Sequence, residues 1–116
     1  MIKVDDQLIE MMRKMSVKEP ENYLEDYIFL TYDYAFMKGE QGEYRVMTDL
    51  LRECLDGLMR MKIDDSQITE MAFGIHDLMI ELVEVGHYDM ADEIHDLLGK
   101  MLEIYQIKLN LSTTYL

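Results

Sequence analysis

Three histidines and a run of carboxylates are the residues of this chain best suited to chemistry. His76, His87 and His95 all fall within residues 64–99, a stretch with ten aspartates and glutamates and no lysine or arginine. Asp92-x-x-His95 sets a carboxylate and an imidazole one helical turn apart. Carboxylate-bridged di-iron bundles use Glu-x-x-His twice, with further glutamates from two other helices. Here the pair occurs once, with aspartate in the glutamate position, and Phe73 rather than a carboxylate precedes His76 by three residues. The expectation is half-buried histidines beside the core, with no metal ligand assigned and no cofactor. A metal-binding helical protein or a small carboxylate enzyme is the rival class, and it requires acids that point inward.

Nucleophiles are few. Cys54 lies between Leu50 and Leu58 on one apolar stripe and reads as a core residue. A reactive thiol needs exposure and nearby positive charge. One cysteine allows no internal disulfide and suits a reducing cytoplasm. Ser16 and Ser66 fall at expected helix ends, where capping accounts for them, and Ser112 falls in the tail. No glycine-rich phosphate loop or nucleophile elbow occurs. No catalytic residue is assigned, and a non-enzymatic protein is expected.

The charge narrows the partner. The 116-residue chain has a formal net charge of −13. Residues 1–58 carry 13 acids and 7 bases, and residues 59–116 carry 11 acids and 4 bases. Such a balance opposes direct nucleic-acid binding, which rests on cations that neutralise phosphates. It also opposes anionic membrane surfaces. It favours fast association with basic protein surfaces. No apolar run is long enough to span a bilayer, and the N-terminus shows no signal-peptide pattern.

The elements that must position these residues read as helices throughout, because the apolar residues recur at helical spacing and no strand alternation runs long enough to compete. Expected helices cover about 5–15, 17–38, 43–61, 64–85 and 89–105, in an all-α single-domain bundle with antiparallel αα-hairpins over residues 1–116. Asp5 or Asp6 can cap the first, whose stripe is Leu8, Met11, Met12 and Met15. Ser16-Val-Lys-Glu19 resembles a capping box that leads into Pro20. Gly39 and Gly42 make a tight connection, and Gly86 closes the fourth helix as a C-cap. The third helix should bury Val46, Leu50, Cys54, Leu58 and Met61, joined by Met47, Leu51 and Leu55. The tail 110–116 should fray.

On a wheel of 100° per residue, helix four sets Glu70, Asp77, Glu81 and Glu84 opposite Ile68, Met71, Ile75, Leu78, Met79 and Leu82. Helix five sets Asp89, Asp92, Glu93, Asp96 and Glu103 opposite Met90, Ile94, Leu97, Leu98, Met101 and Tyr105. One short turn joins them, so the pair should present a doubled acidic surface. The junction Gly86-His-Tyr88-Asp-Met-Ala91 resembles the helix-turn-helix corner of a tetratricopeptide repeat. However, Leu78-Met79 stands where that family has Leu-Gly, and no copy recurs at a 34-residue period. A generic αα-hairpin is therefore expected.

Helix two is aromatic. Tyr23, Leu24, Tyr27, Ile28, Leu30, Thr31, Tyr34 and Ala35 form its core stripe, which leaves Phe29, Tyr32 and Phe36 beside Glu25, Asp26 and Asp33. Either both sides of this helix are covered, or the trio is an acidic-rimmed patch for a partner or a second copy. Most of the twelve methionines lie on core stripes and read as filler. Apolar residues continue to Leu109 and Leu111, which suggests a homodimer.

These readings favour an inhibitor or adaptor that docks on a basic, nucleic-acid-handling protein. The contact set would be Phe29, Tyr32, Phe36, Asp77, Glu81, Glu84, Asp89, Asp92, Glu93 and Asp96. In the sharpest version the carboxylates imitate a phosphate backbone. Small acidic anti-restriction and anti-CRISPR proteins of phages are similar in size and charge, an analogy of bulk properties alone. A structural subunit or chaperone-like adaptor is the third class.

Overall fold

The computed structural model describes residues 5–107. Five α-helices follow one another: α1 (Asp6–Lys18), α2 (Pro20–Glu40), α3 (Tyr44–Arg60), α4 (Asp65–Glu84) and α5 (Tyr88–Tyr105). No strand occurs among the described residues, so the fold class is all-α. The helices group into two compact units, one ending at Met61 and the other beginning at Lys62. The expected apolar extension at Leu109 and Leu111 and the frayed tail 110–116 lie outside the described residues.

In the first unit, α1 starts where the Asp5 carboxylate accepts the Leu8 N–H at 2.9 Å. Pro20 ends α1, because a residue before proline is pushed out of helical backbone. Glu19 accordingly sits at φ −136°, ψ 70°. The expected capping box is corrected here. Ser16 lies in the last turn of α1, buried, and its hydroxyl donates to the Arg13 carbonyl at 2.8 Å. Glu19 takes the cap position of α2 without a side-chain cap bond, and Pro20 supplies the preset first turn.

The inward stripe of α1 also differs from expectation. Met11 is 50% exposed, whereas Ile9 and Ser16 are buried. Leu8, Met12, Arg13 and Met15 are half-buried and Asp6 is exposed, though Asp6 and Arg13 both bond side chains of other helices. Arg13 lies at the inner edge of α1, where Tyr27 and Glu53 of other helices meet it.

α1 and α2 run in opposite directions: Arg13 meets Tyr27, and Asp6 meets Tyr34. α2 and α3 do the same, with Lys38 paired to Glu43, Tyr27 to Glu53, and Leu24 and Ile28 against Gly57. A Cβ on Gly57 would fall 2.7 Å from Ile28 Cγ1, so these two helices approach where a side chain is missing. Met47, Leu50, Leu51, Cys54, Leu55 and Leu58 are buried along α3. Val46 was expected on that stripe and is 38% exposed, at its edge.

In the second unit, α4 and α5 bury Ile68, Met71, Ile75, Leu78, Met79 and Leu82 together with Ile94, Leu98, Met101 and Tyr105. The Tyr105 hydroxyl accepts the Ile63 N–H at 3.1 Å, which ties the end of α5 to the residues ahead of α4. Asp64 opens α4 without capping it; its carboxylate takes the Ser66 hydroxyl at 2.6 Å instead.

Three helix ends share one hydrogen-bond pattern. At α4, Gly86 N–H reaches Val83 O and His87 N–H reaches Leu82 O, with Gly86 at φ +89°. At α2, Gly42 and Glu43 repeat this on Gly39 and Lys38, with Gly42 at φ +76°. This paired return is the Schellman motif, which needs a left-handed residue. Gly39, read from sequence as a second turn glycine, instead lies buried in the last turn of α2. At α5, Gln106 takes the left-handed position, φ +58°, without being glycine.

Candidate partner-binding surfaces

Two surfaces were expected to meet a partner, and they belong to different units. On α4 and α5, Asp77, Glu84, Asp89, Asp92 and Asp96 are exposed, while Glu81 and Glu93 are half-buried. The helical period produces this arrangement: the opposite face of each helix is filled by the buried apolar residues, which leaves the acids outward. The turn between Glu84 and Asp89, Val85-Gly-His-Tyr88, carries no acid, and its Val85 and Tyr88 are exposed. No lysine or arginine intervenes between Lys62 and Lys100.

On α2, Phe29, Tyr32 and Phe36 are each half-buried. Tyr32 and Phe36 pack edge to face, with ring centroids 5.0 Å apart and planes at 76°. Neither phenylalanine belongs to the exposed large apolar side chains, whereas Phe73 on α4 does, at 48% exposure.

The first unit holds an ion network that spacing in the sequence did not reveal. Arg13 makes a two-pronged contact with Glu53, Nε to Oε1 at 2.7 Å and Nη2 to Oε2 at 2.9 Å. The Tyr27 hydroxyl donates to the same Oε1 at 2.7 Å and accepts from Arg13 Nε at 3.1 Å. Arg13 also bonds Glu10. Burial alone would raise the Glu53 carboxyl, but the hydrogen bonds from Arg13 and Tyr27 hold it below the ordinary carboxylate value. Burial, helped by the bond to Glu53, pushes the Tyr27 phenol up. The bond to Glu53 strengthens the hold of Arg13 on its proton.

A cleft of about 300 Å³ opens beside this network, lined in part by Asp6, Glu10, Asp49 and Glu53. Each of these carboxylates is engaged: Asp6 by Tyr34 at 2.7 Å, Glu10 and Glu53 by Arg13, and Asp49 by Arg52 at 3.0 Å. The cleft is therefore the seam where charge joins α1 to α3. Lys38 adds a cation–π contact, 5.1 Å from the Tyr34 ring centre.

Cys54 is fully buried, and burial pushes its thiol up to about 12. Such a thiol stays protonated and inert at neutral pH. His76 and His95 are half-buried beside the core, as their wheel positions predict, and His87 is exposed at the turn. Among the described residues, no three His, Cys, Asp or Glu side chains are placed to hold a metal ion. No described helix is long and apolar enough to cross a membrane.

The exposed Phe73 could have been read from the wheel, since its position falls at the edge of the acidic stripe of α4, beside Glu84. Arg13 and Glu53 could not: 40 residues separate them, and only the packing of α1, α2 and α3 brings them together. No family model, curated protein or solved structure matches this chain.

Proposed function

We propose that this protein acts without catalysis, by docking the acidic face of α4 and α5 on a basic protein surface. The observation that supports this is the outward row of Asp77, Glu84, Asp89, Asp92 and Asp96, in a stretch free of lysine and arginine. Exposed like charges at this density raise the rate of encounter with cationic surfaces and disfavour anionic ones. A protein that handles nucleic acid presents such a cationic surface. The carboxylate rows would then occupy its phosphate track, and the chain would serve as its inhibitor or adaptor.

The test uses a set of purified DNA- and RNA-binding proteins, with binding measured against duplex competitor. At least one should bind, lose its nucleic acid on binding, and weaken by about tenfold or more between about 50 and 300 mM salt. Reversing two exposed charges, Asp77→Lys and Asp96→Lys, should weaken it further. Binding that ignores salt and both reversals would refute the reading and favour an apolar adaptor.

A further inference from the structure

The acidic face of α4 is not uniformly polar. Glu70, Phe73, Asp77, Ile80 and Glu84 follow one another at spacings of three, four, three and four residues. At 100° per residue they lie within an arc of about 80°. Glu70, Phe73, Asp77 and Glu84 are exposed and Ile80 is half-buried. Two columns result: carboxylates at 70, 77 and 84, and apolar side chains at 73 and 80, about 10 Å apart along the axis. The corresponding face of α5 differs. There Asp92, Asp96, Gly99 and Glu103 are all exposed, and the arc holds one exposed aromatic, Tyr88 in the first turn, with His95 rather than an apolar residue one heptad later.

A single exposed apolar side chain needs no explanation. A phenylalanine followed one heptad later by isoleucine, each flanked by carboxylates at the same repeat, is a spacing that a partner helix can match. Building on the acidic-docking reading above, we propose that this seam of α4 receives one basic amphipathic helix of the partner. Its apolar residues cover Phe73 and Ile80, and its lysines or arginines face Glu70, Asp77 and Glu84. Charge complementarity selects this occupant. Three carboxylates beside the apolar column would repel an acidic helix, and a second copy of α4 would set the same acids against each other. Phe73 is the anchor, because an aromatic ring contributes most where its surroundings exclude water. This moves the anchor from Phe29 and Phe36 of α2 to the helix that also carries the charge.

Two synthetic peptides of identical leucine and lysine composition test the seam on the intact chain. One alternates leucine and lysine at three and four residues to match α4. The other is scrambled so that no face carries both. Binding by fluorescence anisotropy should be about tenfold or more tighter for the patterned peptide. Phe73→Ala should remove most of that advantage and leave the scrambled peptide unchanged. Asp77→Lys, at an exposed position, should weaken the patterned peptide with the fold intact by circular dichroism. Amide shifts on binding should centre on residues 70–84. Equal binding of both peptides, or no effect of Phe73→Ala, overturns the seam while leaving salt-dependent acidic docking standing. Failure of both peptides to bind at low salt overturns both. A homodimer that Phe73→Ala dissolves, seen by sedimentation, shows that a second copy covers the face and overturns the assignment.

Discussion

In residues 5–61, thirteen acids share the structure with seven bases. Arg13, Lys38, Arg45, Arg52 and Arg60 all sit in ion pairs there. In residues 62–107, eleven acids face only Lys62 and Lys100. The cores of both units are built alike, from leucine, isoleucine and methionine at helical spacing. The difference lies in how charge is placed. The first unit pairs charge within α3 and also between helices, where Arg13, Tyr27 and Glu53 tie α1, α2 and α3 together. The second sets much of it outward, with Asp77, Glu84, Asp89, Asp92 and Asp96 exposed. Charge that joins helices is worth the most where it is shielded from water, and charge meant for a partner must remain in water.

If the contrast lies in charge and not in the cores, core truncation should cost both units alike. Leu51→Ala and Ile75→Ala, each at a fully buried site, should lower stability by about 2–5 kcal/mol in urea unfolding. A gap between the two well beyond that range would place the difference in packing instead.

A smaller effect separates the carboxylates. Glu53→Gln should cost about 1–2 kcal/mol, discounted because Arg13 and Glu53 are each about a third exposed. Asp77→Asn and Asp96→Asn should change stability by less than about 0.5 kcal/mol. The pH dependence follows the same division. Glu53 ionises more readily folded than unfolded, so its stabilisation is present above the ordinary carboxylate value of 4.5 and lost as pH falls below it. Tyr27 holds its proton more tightly folded, so its contribution is present below pH 10 and lost as pH rises beyond. Urea titrations should therefore show a shallower acid limb for Glu53→Gln and a shallower alkaline limb for Tyr27→Phe. Unchanged limbs in both variants would remove the network from the account of the first unit.

The smallest effect is a gain. Gln106 takes the left-handed position that Gly42 and Gly86 fill at the other two helix ends. Gln106→Gly should stabilise the end of α5 by about 0.5–1 kcal/mol, read as a rise in thermal midpoint.

The helices were legible because apolar spacing is a local signal. Met47, Met71, Met79 and Met101 all lie in the core where periodicity placed them, and the acids of α4 and α5 face outward as the wheel requires. The failures have a common cause. α1 was read through Leu8, Met11, Met12 and Met15; Met11 is exposed and the other three half-buried, whereas Ile9 and Ser16 are buried and Arg13 is held by partners on α2 and α3. Hydropathy counts such residues as surface. Ser16 looked like a cap because serine suits caps, yet the chain stays helical until Pro20 forces the break. At Gln106 nothing local announced the left-handed turn, since glutamine seldom adopts it.

The hydrogen at the α-carbon of Gly57 has a reach beyond its own contact with Ile28. Glu53 stands one turn earlier on the same side of α3, and Tyr27 adjoins Ile28 on α2. The narrow gap that an absent methyl permits thus lets the Glu53 carboxylate touch the Tyr27 hydroxyl at 2.7 Å. Widening it would loosen a polar clamp that residue 57 never touches, so the smallest residue of the helix bears on the ion network one turn away.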